Sequence, residues 1–244
     1  MKNLDSKKNM NLVYGRLPAL NALSNDKVKK VYLQKNFSDD KIFEAIKKTK
    51  LSPEFVDSSF LNKMSHSGNH QGIVVEVVPH EYSSLAEILE SSKKKVQPLI
   101  LILDGVEDPQ NFGAIIRTAD AFSVDGIIIK NRNQVPLNYT VAKVSTGAIE
   151  YVKVAEVSNL NSTLQTLKDN GFWIYAADGS AKESYEKQNY NGAVALIVGS
   201  EGNGISPLVM KNSDFIIKIP MTGHVNSLNV SVSTGILLSR IRNK

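Results

Sequence analysis

Leu99-Ile100-Leu101-Ile102-Leu103 is an unbroken apolar run that ends in Asp104-Gly105-Val106-Glu107-Asp108-Pro109-Gln110-Asn111. A strand with one wet face alternates apolar and polar residues. Continuous Leu and Ile mark a strand buried on both faces, as in a parallel sheet covered by helices. The same character returns at residues 126–129, 172–177, 193–198 and 215–219. Helical patterns lie between them, for example at 112–122 and 160–168. Strands alternating with helices predict an α/β domain with a parallel sheet over residues 98–244. In such sheets ligands bind in the loops beyond the carboxyl ends of the strands.

Three of those loops hold unusual residues. The first is the stretch 104–111 quoted above. The helix after it has an apolar face of Phe112, Ile115, Ile116, Ala119 and Phe122, with Arg117 opposite. Asn111 stands where an N-cap would stand. It is either that cap or a group aimed into a site, and Arg117 is either a solvated arginine or part of the same site. The second loop, Gly199-Ser200-Glu201-Gly202-Asn203-Gly204-Ile205-Ser206, is glycine-rich, so a ligand could approach its backbone closely. Gly199 and Gly204 have P-loop spacing, but Ile205 replaces the phosphate-binding lysine, which disfavours a nucleotide-hydrolysing function. Glu201 is either a turn residue or a functional carboxylate. The third loop, Pro220-Met221-Thr222-Gly223-His224-Val225-Asn226-Ser227-Leu228-Asn229, leads into a final helix. A helix cap accounts for one of Ser227 and Asn229, not for the density of polar groups. His224 has no partner pattern.

The first part of the chain reads differently. After a loose tail at 1–11, short α/β elements are expected: a helix at 17–23, a strand at 28–33, an amphipathic helix at 39–50, a strand at 54–56, a helix at 58–64 and a strand at 72–78. This gives a small domain at 1–78, a linker with a helical stripe at 79–97, and the larger domain at 98–244. Residues 1–97 hold 16 Lys+Arg and 11 Asp+Glu, a net of +5, whereas residues 98–244 hold 13 of each. A basic module beside a neutral one fits polyanion binding joined to chemistry; lysine decoration for solubility is the plainer alternative.

The 244 residues contain no cysteine, which excludes disulfides, cysteine zinc sites and thiol nucleophiles. Histidine spacing gives no metal set, and no GxSxG elbow is present. No apolar run approaches the ~20 residues of a membrane span, and the N-terminus lacks a signal-peptide core. A soluble cytoplasmic protein is expected.

Together the three loops resemble the motifs of the SpoU/TrmH-type branch of the SPOUT superfamily of methyltransferases. They read Asn111-Phe112-Gly113-Ala114-Ile115-Ile116-Arg117-Thr118-Ala119, Ile197-Val198-Gly199-Ser200-Glu201-Gly202-Asn203-Gly204, and Ile219-Pro220-Met221 through Ser227-Leu228-Asn229-Val230-Ser231. Val13-Tyr14-Gly15 and His70-Gln71-Gly72-Ile73 resemble the RNA-binding domain of the bacterial 23S rRNA guanosine-2'-O-methyltransferase subgroup. The resemblance implies a deep C-terminal trefoil knot and a homodimer with the site near the subunit interface. It implies S-adenosylmethionine as methyl donor, held by Gly199, Ile219 and Leu228, with no metal. Arg117 would activate the ribose 2'-hydroxyl, and Asn111, Glu201, Ser227 and Asn229 would shape the site. The implied partner is RNA, rRNA first and tRNA second. A non-catalytic RNA-binding or ribosome-assembly factor is the competing reading.

Overall fold

The computed structural model describes residues 11–25, 28–225 and 227–243. Of the expected tail, residues 1–10 lie outside them. The described chain divides into two compact units, one reaching His80 and including Leu137–Tyr139, the other holding Glu81–Pro136 and residues from Thr140 onward.

In the first unit the elements are β1 (Leu12–Tyr14), α1 (Arg16–Asn25), β2 (Val28–Gln34), α2 (Asp40–Thr49), β3 (Glu54–Val56), α3 (Ser58–Met64) and β4 (Ile73–Val77). The sheet order is β1-β4-β2-β3. One sheet face packs Val31, Leu33, Ile73 and Val75 against Ala19 and Ala22 of α1 and Ile42 and Ile46 of α2. Leu61 of α3 meets Tyr32 and Val74 on the other face. Helix α2 starts where the Asp39 carboxylate accepts from the Ile42 N–H at 3.3 Å. It ends at Lys50, which is in the left-handed region at φ 61°. Strand β1 escapes a sequence reading because three residues carry too little periodicity; it forms by pairing with β4, Val13 opposite Val75.

The second unit contains α4 (Leu85–Ser92), β5 (Leu99–Asp104), α5 (Pro109–Ala121), β6 (Gly126–Lys130), α6 (Tyr139–Val144), β7 (Val154–Val157), α7 (Leu160–Asp169), β8 (Phe172–Ala177), β9 (Glu183–Ser184), β10 (Ala193–Gly199), α8 (Pro207–Lys211), β11 (Phe215–Lys218) and α9 (Val230–Arg242). Its strands form one parallel sheet in the order β7-β6-β5-β10-β8-β11-β9. Every residue of β5 is buried, as the unbroken apolar run requires. The short edge strands β7 and β9 carry no such run and do not stand out in the sequence. The segment 79–97 contains α4, opened by a capping box between Ser84 and Glu87. Its Ile88 is fully buried in the core of this unit. A Cβ on Gly126 would lie only 2.6 Å from Ile88 Cδ1, so a glycine there makes room for the helix.

From β5 the sheet steps outward through β6 to β7. It then continues on the opposite side with β8, and β10 inserts between β5 and β8. The reversal places the carboxyl ends of β5 and β10 side by side, where an open α/β sheet offers a crevice. Helix α9 is pinned at its far end. The Arg242 guanidinium donates to the carbonyls of Phe122, Gln97 and Ser123 at 2.8, 2.7 and 2.6 Å. Burial lowers the Arg242 pKa and nearby Asp125 raises it, burial being the larger effect.

Candidate active site

Strand β5 delivers Asp104, a buried carboxylate, to the crevice. Its Oδ2 accepts from the Ser206 N–H at 2.7 Å. Its Oδ1 pairs with Lys130 Nζ, from the end of β6, at 2.5 Å. The buried charge is thus compensated, and it ties the loop after β10 to β5 and β6.

Helix α5 begins earlier than its apolar stripe indicates. Asp108 is the N-cap, accepting from the N–H groups of Gln110 (3.1 Å) and Asn111 (3.4 Å), and Pro109 occupies the first turn. The capping reading of Asn111 is therefore corrected: Asn111 lies inside the helix, and its side-chain amide is available for other partners. Proline is tolerated at this position because its missing N–H would be unpaired in any case.

The loop after β10 folds back on itself. Ser200 and Gly204 exchange both backbone hydrogen bonds, at 3.1 and 3.0 Å. A Cβ on Gly199 would lie 2.1 Å from the Gly204 carbonyl carbon and 2.4 Å from the Ile205 nitrogen. The close approach at Gly199 is thus made by the loop's own backbone. The folded loop presents Glu201 to two asparagines. Asn111 Nδ2 donates to Glu201 Oε1 at 2.9 Å, and Asn229 Nδ2 donates to the same oxygen at 2.7 Å. Asn229 Nδ2 also donates to Asn111 Oδ1 at 2.9 Å. Asn229 is the N-cap of α9, its Oδ1 accepting from the N–H groups of Ser231 (2.9 Å) and Val232 (3.4 Å). One side chain thereby starts the final helix and closes the cluster. Hydrogen bonds to an ionised acceptor are the stronger class, although the exposure of Glu201 and Asn229 reduces their net worth.

Two cavities flank this cluster. The first, about 200 Å³, lies beyond the ends of β8, β10 and β11. Gly199, Glu201, Ile219, Ser227 and Leu228 line it, together with Asp178, Gly179, Lys218, Met221 and Ser233. The second, about 280 Å³, lies beyond β5 and is lined by Gly105 through Asp108, Asn111 and the Ser200–Asn203 loop. Ser200, Glu201 and Val230 belong to both walls.

Seven of the eight residues singled out from the sequence thus meet around one crevice. Arg117 does not join them. It sits on the exposed face of α5, lining neither cavity. Six residues beyond Asn111, it is displaced about 9 Å along the helix and points about 240° around it. Asp178 and Gly179 were missed, although the signal was present: a turn dipeptide directly follows the buried strand β8, as in the three loops that were read. His224 is exposed and lines neither cavity. Among the described residues, no group of three or more His, Asp or Glu could hold a metal ion. No described helix is long and apolar enough to cross a membrane.

The family model described as the SpoU rRNA Methylase family matches residues 98–239. The chain belongs to this family. A second model, described as the RNA 2'-O ribose methyltransferase substrate binding domain, matches residues 12–83 of the same SpoU-family chain. YacO of Bacillus subtilis (strain 168), named for the TrmH family of tRNA/rRNA methyltransferases, is 40% identical over 237 residues, covering 95% of each chain. A TrmH family relative from Staphylococcus aureus (strain COL) is 42% identical over 220 residues, covering 89% of each. The solved structure of the SpoU methyltransferase AviRb from Streptomyces viridochromogenes, in complex with AdoMet, superposes with TM-score 0.70. That match covers 100% of this chain and 93% of AviRb at 19% identity, a likeness of fold. The A. aeolicus TrmH/SpoU tRNA modifying enzyme is 32% identical, with TM-score 0.56, over 64% of this chain and 78% of that one.

Proposed function

We propose that this SpoU-family methyltransferase transfers a methyl group from S-adenosylmethionine to the 2'-hydroxyl of a guanosine in 23S rRNA, acting in the cytoplasm as a homodimer. The observation that carries the reading is the Asn111–Glu201–Asn229 cluster, which stands between two cavities at the switch point of the sheet. Two reactants need two adjoining sites, and the shared wall is where a group passes between them.

The first cavity suits the donor. Leu228, Ile219 and Met221 offer apolar contact for a purine ring, and the strand ends offer backbone groups for its polar edge. The second suits the acceptor nucleoside. In the transfer the ribose oxygen bonds to the methyl carbon, the carbon–sulfur bond breaks, and the hydroxyl proton leaves. The donor's sulfonium is already activated, so alignment and charge handling are what the protein must add. Asn111, Glu201, Ser227 and Asn229 shape the meeting point. A guanidinium gives up its proton too reluctantly to serve as a general base, so Arg117 is not assigned that role. We assign it to orienting the hydroxyl and stabilising the developing oxyanion, with an RNA phosphate taking the proton. Its position outside both cavities of its own chain fits delivery across the subunit interface of the homodimer. The trefoil knot of the resembled family belongs to this reading as well.

Calorimetry tests the donor site directly. Titrating S-adenosylmethionine into the protein should give saturable heat at one site per chain; no heat in folded protein, with or without RNA, contradicts the reading. Glu201 gives a graded test. Glu201→Ala leaves two amide donors without their shared acceptor, and methyl transfer should fall by about 100-fold through lost alignment. Glu201→Gln keeps an oxygen for both amides and should fall less. Melting temperatures should show both variants folded.

A further inference from the structure

One carboxylate of the first cavity takes no part in the cluster around Glu201. Asp178 follows β8 directly, is half-buried and lines that cavity. Its backbone is fixed on both sides. Its N–H donates to the Ile217 carbonyl at 2.9 Å, and its own carbonyl accepts from the Ala181 N–H at 3.2 Å. Its side chain is fixed as well, because Oδ1 accepts from the Ser180 N–H at 2.9 Å and from the Ser180 hydroxyl at 2.5 Å. Oδ2 forms no hydrogen bond among the described residues. It lies 3.6 Å from where a Cβ on Gly204 would stand, which places it between the end of β8 and the folded-back loop. The other carboxylate of the cavity, Glu201, already receives two asparagine amides through one oxygen.

We propose that Asp178 is the residue by which this enzyme recognises the ribose of its methyl donor, Oδ2 accepting from the vicinal hydroxyls. Strand order carries the assignment. The sheet runs β10-β8-β11 at this place. Neighbouring strands are about 4.8 Å apart, so β10 and β11 stand roughly 10 Å apart with β8 between them. Ile219 and Met221, past the end of β11, offer the purine its apolar contact. The sulfonium has to reach the wall common to both cavities, where Ser200 and Glu201 follow β10. The ribose joins purine to sulfur, so it is the part of the donor that crosses the end of β8. The exocyclic amine stays with the purine, and the ammonium lies beyond the sulfur.

The chemistry matches the position. Two adjacent hydroxyls donate, and an ionised carboxylate only accepts. Ser180 holds the carboxylate in place before any ligand arrives, so little ordering is lost on binding. A site built around a hydroxyl rejects the analogue lacking it, because the acceptor is then left unpaired. A hydrogen bond to a charged acceptor is worth about 10–100-fold in affinity, and the partial exposure of Asp178 sets the expectation at the lower end.

The inference rests on the donor reading of the first cavity and can fail separately from it. Calorimetry of the full chain compares S-adenosylhomocysteine, which has no methyl group to transfer, with its 2'-deoxy and 3'-deoxy analogues. The wild type should bind the ribo compound about tenfold more tightly than the weaker deoxy analogue. Asp178→Asn keeps an oxygen for the Ser180 N–H and puts an NH2 group, which cannot accept, where Oδ2 stands. It should bind the ribo compound about tenfold less tightly than wild type and that deoxy analogue equally well, so the preference disappears. A general loosening of the cavity would weaken all three compounds together and leave the preference intact. The wild-type comparison keeps the test open if Asp178→Asn does not fold. Equal binding of all three compounds by wild type, or a folded Asp178→Asn that retains the preference, overturns the proposal and leaves the donor site standing. Folded wild type that binds none of the three overturns it together with the donor site.

Discussion

Gly199→Ala is expected to abolish methyl transfer and to lower the melting temperature, although it adds a single methyl group. The added Cβ would lie 2.1 Å from the Gly204 carbonyl carbon, 2.3 Å from its oxygen and 2.4 Å from the Ile205 nitrogen. All three atoms are backbone, so no flexible side chain can move aside. Either the Ser200–Gly204 hydrogen-bonded pair opens or strand β10 shifts. Overpacking of this kind costs about 1–3 kcal/mol, or roughly 2–12 °C in a protein of this size. The larger consequence is positional. Glu201 rides on the loop, and a displacement of about 1 Å is enough to cost about 100-fold in rate. Gly202 is the control. A Cβ there meets nothing within 4 Å, so Gly202→Ala should keep its melting temperature and its heat of donor binding. Thermal melts and calorimetry of the two variants side by side make the comparison. Equal behaviour would show that the folded-back loop is not what requires Gly199.

The second large effect concerns Arg117. Arg117→Ala should reduce methyl transfer by about 10²–10³-fold, the usual scale for removing a group that stabilises developing negative charge. Donor binding should be nearly intact, because Arg117 lines neither cavity. If Arg117 acts across a two-fold interface, inactive chains can repair one another. Mixing Arg117→Ala with Glu201→Ala should then recover about a quarter of wild-type activity. Random pairing makes about half the dimers mixed, and each mixed dimer has one site with both residues intact. A mixture as inactive as its components would place Arg117 and Glu201 on the same chain's site. Full activity of Arg117→Ala alone would remove the role altogether.

The sheet was legible because burial on both faces leaves a simple signature. Leu99 to Leu103 and Ala193 to Val198 have no polar residue to confuse the period, and both runs are strands. Strands β1, β7 and β9 were not legible. They are short or lie at an edge, and their pairing rather than their composition makes them strands. The start of α5 was misread because the apolar stripe begins at Phe112, whereas Asp108 and Pro109 set the cap. That shift of one turn moved Asn111 from a capping role to a hydrogen-bonding one. The loops pointed to Glu201 and Asn229 as residue types, but not to each other. Asn111 and Asn229 are 118 positions apart; the packing of α9 on α5 brings them together, and the insertion of β10 beside β5 brings Glu201 to both. Gly199 lines the first cavity, and the room left by its missing Cβ is also taken up by the Gly204 and Ile205 backbone, which a glycine in a sequence does not announce. Asp178 was passed over because the strand before it was read and the turn after it was not.

Transfer of a methyl group to a ribose 2'-hydroxyl is open to direct measurement. Its most direct test incubates the purified protein with methyl-labelled S-adenosylmethionine and total RNA from cells lacking the gene, followed by digestion to nucleosides and mass spectrometry. Label is expected in 2'-O-methylguanosine from 23S rRNA. Label on a base, or no transfer by folded protein that binds the donor, would contradict it.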